Sequence, residues 1–123
     1  MRAVDKDLET LRDALLAFRS ERDWEQFHTP RNLAASVAIE AAEVLEHFQW
    51  LRDGETLDDQ QKAEVGKELA DVFIYLVLLS NDLGVDLMSA ATAKIQENAT
   101  RFPVEEARGR AWSNKRKRPA GEQ

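Results

Sequence analysis

The sequence predicts an all-α fold, an antiparallel four-helix bundle, and three observations predict it. Apolar residues recur at spacings of three and four through most of the chain, the repeat of a helix that buries one face. Helix-starting residues stand just ahead of these periodic blocks, with Gly or Pro just behind them. The 5 Gly and 3 Pro are too few for the many tight turns of an all-β chain.

Each element follows from local signals. Val4, Leu8, Leu11, Leu15 and Phe18 form one stripe and predict a first helix over residues 4–24. Thr29 is a good N-cap, and Pro30 suits the first helical position, where its missing N–H is not needed. The second helix is expected over 30–51, with Gly54 as its left-handed stop. Asp58 and Asp59 favour the positive end of a third helix, expected over 58–83 and ended by Gly84. Val85 and Asp86 read as staple and N-cap of a fourth, ending near Arg101 and stopped by Pro103. Short connections between long helices favour antiparallel neighbours. Past Pro103 no apolar period continues, so residues 104–123 are expected to be a poorly ordered basic tail behind a single domain of residues 1–103.

Composition excludes several function classes. The longest apolar run, residues 72–79, falls well short of the roughly twenty residues a membrane span needs. No basic segment precedes an apolar stretch at the N-terminus, so a secretory leader is not expected. The absence of Cys removes disulfides, thiolate metal sites and Cys nucleophiles, and fits a reducing cytoplasm. Residues 1–100 carry 10 basic and 20 acidic side chains, and such a body does not attract bare nucleic acid or an anionic membrane. Lys115, Arg116, Lys117 and Arg118 concentrate positive charge near the C-terminus; a solvated tail explains them more simply than a nucleic-acid patch.

The chemical signal is a local repetition. Glu40 and Glu43 in the second helix, and Glu68 and Asp71 in the third, are both acid-x-x-acid pairs. At about 100° per residue, the members of each pair sit roughly 60° apart, on the border of the apolar stripe. Like charges so placed destabilise a helix, and semi-buried carboxylates are costly unless paired. No Lys or Arg occupies the facing positions. If the two helices pack as a hairpin, four carboxylates converge, and a divalent cation resolves the repulsion. An all-oxygen donor set without Cys points to Mg²⁺ or Mn²⁺ over zinc. A di-iron site needs Glu-x-x-His, and His47 has the wrong offset for it, which leaves a structural role. Two solvated acidic faces on a non-catalytic helical interaction module would show the same spacing.

Beyond the acids, the likeness widens. The two acidic pairs resemble the signature of the MazG-like, all-α nucleoside triphosphate pyrophosphohydrolases. The segment Arg22-Asp23-Trp24-Glu25-Gln26-Phe27-His28-Thr29-Pro30 resembles the stretch ahead of the first acidic motif in that family's dCTP pyrophosphatase branch. So do Glu46-His47-Phe48-Gln49-Trp50 and the run around Tyr75, and Lys94, Asn98, Arg101, Phe102 and Pro103 resemble the closing motif. The resemblance implies hydrolysis between the α and β phosphates, to a monophosphate and pyrophosphate, with Mg²⁺ as cofactor and a homodimer or tetramer as the assembly. It implies that Glu40, Glu43, Glu68 and Asp71 hold the metal. It also implies that Trp24, Phe27, His28, Trp50 and Tyr75 line the nucleoside pocket, and that Lys94, Asn98 and Arg101 meet the phosphates.

The residues agree with such roles. Aromatic faces stack on bases, and Trp24 and Trp50 flank the second helix, so one pocket could include both. Lys94, Asn98 and Arg101 share a helix face. Glu43 is expected to take the proton of the attacking water, although spacing does not select it over the other three. Two departures stand out. Some related enzymes carry an extra acid beside the first ligand, where this chain has Ile39 and Ala41, and animal members carry a pocket His where it has Leu15. The second loosens a strict cytosine preference and allows action on a wider set of dNTPs.

Overall fold

The computed structural model describes residues 7–111. They fold as five helices without a strand: α1 (Leu8–Glu21), α2 (Pro30–Glu46), α3 (Asp59–Asp82), α4 (Leu87–Arg101) and α5 (Val104–Ala107). The chain divides into two compact units, Met1–Val85 and Asp86–Gln123.

In the first unit the caps expected from sequence are formed. Thr29 accepts the N–H of Asn32 at 3.2 Å, and Pro30 occupies the first turn of α2. Asp58 and Gln61 make a reciprocal capping box at the start of α3, with both bonds below 3 Å. Between α1 and α2 the chain turns through Asp23, which takes a left-handed φ of 53°. Gln26 Nε2 donates to both the carbonyl and the carboxylate of Asp23 and so holds that turn. Leu33, Val65, Val77 and Leu78 form the buried apolar core, and α2 packs mainly against α3.

Two boundaries differ from the periodicity. Helix α2 stops at Glu46, not near residue 51, although Phe48 and Leu51 continue its apolar spacing. From His47 onward the backbone tightens: the His47 N–H bonds Val44, Phe48 and Gln49 both bond Leu45, and Leu51 bonds Phe48. Gly54, at φ 88°, then serves the connection to α3 instead of ending α2. Helix α1 ends at Glu21, three residues before Trp24, and Val4 lies outside the described residues.

In the second unit, Asp86 caps α4 by accepting the N–H of Ser89. Pro103 ends the irregular step after Arg101 and starts the single turn of α5, where loss of periodicity predicts poor order. Lys115, Arg116, Lys117 and Arg118 lie outside the described residues. Among the described residues no single helix is long and apolar enough to cross a membrane.

Candidate active site

The four acids of α2 and α3 meet. Glu40, Glu68 and Asp71 each offer a carboxylate oxygen within 4.8 Å of the others. Glu43 stands beside Glu40 and Glu68, close enough to disfavour the charge on each. His47 Nε2 lies 3.9 Å from Glu68 Oε1 at one end of the cluster. Along α2 the order is Glu40, Glu43, His47, and along α3 their partners run from Asp71 back to Glu68, so the two helices pair antiparallel.

The electrostatics are those of an unneutralised group. Like charges gathered this closely favour keeping a proton somewhere in the group. Burial raises the Glu40 carboxyl above its ordinary value, and the adjacent Glu43 carboxyl and the charges of Asp71 and Glu68 add to this. For Glu68 the adjacent Glu43 carboxyl is the larger cause, followed by burial and Asp71, with His47 opposing. Glu40 Oε2 is shut away from water and bonded to nothing. An orphaned carboxylate oxygen inside an all-oxygen cluster is what a hard divalent cation would satisfy. These residues therefore fit a metal ion of the Mg²⁺ class.

Beside the cluster lies a pocket of about 360 Å³. Leu15, Phe18 and Arg19 of α1 form one wall, Trp24 and His28 of the following turn a second, and Asp71, Ile74, Tyr75 and Leu78 of α3 the third. Asp71 thus belongs to both pocket and cluster. The Trp24 ring stands edge-on to Phe18, with centroids 5.8 Å apart, and 6.2 Å from the ring of His28. Burial pushes the His28 imidazole below its ordinary value and Arg19 pushes it further, against Asp82 and Glu25. Its Nδ1 is buried and unpaired.

The structure brings together Trp24, His28 and Tyr75 from the aromatic set. Phe27 and Trp50 lie outside this pocket, 61% and 86% exposed. Trp50 follows the far end of α2, a helix of 17 residues and so about 25 Å long, and this pocket includes Trp24 without it. Lys94, Asn98 and Arg101 lie on α4 in the second unit, where Lys94 pairs with Glu97 at 3.4 Å and the Arg101 guanidinium faces the Phe102 ring.

Sequence reasoning passed over the ion pair of Arg19, which lines the pocket, with Asp82. Arg19 is buried, and its Nη1 and Nη2 donate to the Asp82 carboxylate at 2.8 and 3.0 Å. The available signal was position: Arg19 lies one turn beyond Leu15, on the apolar stripe of α1.

An all-α hairpin with paired acids across its seam defines a class, and the comparison with known proteins agrees. Residues 35–114 match the MazG-like family, and the chain belongs to it. It is 43% identical over 108 residues to dCTP pyrophosphatase 1 of Rattus norvegicus, covering 85% of this chain and 64% of that protein. It is likewise 43% identical to dCTP pyrophosphatase 1 of Homo sapiens over 105 residues, 82% of this chain and 62% of the human one. The chain therefore spans somewhat less than two thirds of these relatives. A crystal structure of a pyrophosphatase from Archaeoglobus fulgidus superposes with a TM-score of 0.71 at 37% identity, covering 84% of this chain and 98% of that one.

Proposed function

We propose that this chain is a divalent-metal-dependent nucleoside triphosphate pyrophosphohydrolase, acting on dCTP and related dNTPs in the cytoplasm to give the monophosphate and pyrophosphate. The observation that carries the reading is Asp71, shared between the four-acid cluster and a pocket lined by Trp24, His28 and Tyr75. A metal-binding end and an aromatic end joined by one residue suit a substrate with a phosphate chain at one end and a base at the other. The names of the relatives and of the archaeal pyrophosphatase support the same activity.

In this reading Glu40, Glu68 and Asp71 hold Mg²⁺, or Mn²⁺ in its place. A bound ion of this kind neutralises phosphate charge and acidifies a coordinated water. Glu43 is the carboxylate outside the mutually close trio yet adjacent to two of its members. It receives the proton as water adds across the α–β anhydride. Trp24 stacks on the base, and His28 and Tyr75 meet its polar edge and the sugar. Phe27 and Trp50 offer further aromatic surface, and Lys94, Asn98 and Arg101 are assigned to the outer phosphates. Purified protein with Mg²⁺ should release one pyrophosphate per dCMP formed, read by ion exchange and a pyrophosphate-coupled assay. Release of single orthophosphate overturns the reading.

The active species is proposed to be a homodimer or tetramer without bound nucleic acid. Ile39 and Leu45 on α2, and Leu69 on α3, are each more than half exposed in one chain, more apolar surface than a lone small domain normally shows water. Light scattering at micromolar concentration should give at least twice 14.0 kDa, and a monomer would contradict this.

A further inference from the structure

The Arg19–Asp82 pair takes no part in the reaction proposed above, and locally it is unfavourable on two counts. Asp82 is the last residue of α3, where the negative end of the helix dipole disfavours a carboxylate. The Arg19 side chain is only 9% exposed, and its Nε is closed off from water without an acceptor. A buried donor left unpaired counts against stability, and buried ion pairs are often replaced by apolar residues at no loss. Stability alone therefore gives a poor account of this pair.

What the pair joins is more telling. The Arg19 carbonyl accepts the N–H of Trp24 at 3.1 Å, and the Trp24 carbonyl accepts the N–H of His28 at 3.2 Å. Asp82 ends the same helix that carries Glu68, Asp71 and Tyr75. A continuous hydrogen-bonded path thus runs from α3, through the Arg19 side chain and backbone, to the two ring-bearing residues of the opposite pocket wall. We propose that Arg19, gripped by Asp82, is a positioning residue that fixes the Trp24–His28 wall at a set distance from the metal-binding face of α3, and so governs how tightly the base is held. The inference rests on the nucleotide reading of the site.

The test compares the native chain with the Arg19→Met/Asp82→Leu double variant. The double variant should melt at or above the native temperature and bind Mn²⁺ alone with native affinity. Its KM for dCTP should rise by about ten- to a hundredfold, the penalty of a misplaced binding wall, while kcat stays close to native, because the loss is in binding shared by ground and transition states. Quenching of Trp fluorescence by dCTP with Ca²⁺ in place of Mg²⁺ should weaken by the same factor. If the double variant does not fold, Arg19→Lys makes the comparison: a point charge cannot reproduce the two-pronged grip, and its KM should rise by a smaller factor at unchanged kcat. A native KM in either folded variant, or equal losses of Mn²⁺ and dCTP affinity, overturns the inference while the nucleotide reading stands. A native chain that neither hydrolyses dCTP nor is quenched by it overturns the nucleotide reading, and this inference with it.

Discussion

Glu68→Gln protein should hydrolyse dCTP at least about a hundredfold more slowly than the native chain, and yet melt at a higher temperature when no metal is present. The catalytic loss follows from the donor set. Altering groups that merely support metal ligands costs about 10- to 100-fold, and Glu68 is assigned to the ligand shell itself. The stability gain follows from the charges. Glu43, burial and the Asp71 charge all act against an ionised Glu68, and a neutral amide removes one repelling charge while still able to hydrogen bond.

The pH dependence carries a definite sign. A carboxyl whose folded value lies above its ordinary 4.5 contributes stability that is complete below 4.5 and is lost as pH rises through the raised value. The amide does not titrate. The advantage of Glu68→Gln over the native chain should therefore be largest near neutral pH and vanish as pH falls toward 4.5. Thermal melts in chelator across this range measure it. An advantage that grows on acidification would show that the cluster is not mutually repelling.

The second large effect concerns the native chain and the ion. Adding Mg²⁺ near neutral pH should raise the melting temperature, because a ligand that binds only the folded state stabilises it by mass action. At a hundred times its dissociation constant the gain is about 2.7 kcal/mol, on the order of 10 °C for a domain of this size. Asp71→Asn should abolish the shift, and lowering the pH should shrink it, since the ligands must lose their protons to bind. A non-catalytic interaction module predicts no shift at all, so one thermal-shift series with chelator, Mg²⁺ and Ca²⁺ separates the two.

Much of this was legible in the residues, for reasons that differ by element. The starts of α2, α3 and α4 were readable because Thr29, Asp58 and Asp86 cap through bonds only three residues long. The end of α2 was not, because Leu45, Phe48 and Leu51 keep an apolar spacing that a tightened turn satisfies as well as a helix does. The acid pairs were legible as pairs, since three-residue spacing fixes a face. Which of their oxygens touch depends on the packing of α2 against α3, which spacing does not encode. Arg19 was harder still. A basic residue near a helix C-terminus reads as a complement to the dipole, and its acidic partner lies 63 positions away. Trp24 and Trp50 both border α2, and their order in the sequence does not tell that the pocket beside the acids takes Trp24 and not Trp50.

The antiparallel pairing of two like motifs gives the acid quartet an approximate local dyad. In that pairing Glu40 corresponds to Glu68 and Glu43 to Asp71, although Asp71 stands in the mutually close trio and Glu43 outside it. Acids paired that way do little by themselves to tell one direction from the other. The polarity of anything laid across them must come from what breaks the symmetry: His47 at the Glu68 end, and the aromatic pocket at the Asp71 end. In the proposed reaction, the direction in which a triphosphate lies over this centre, and hence which of its anhydrides meets the reactive water, falls to the neighbours of the acids and not to the acids themselves.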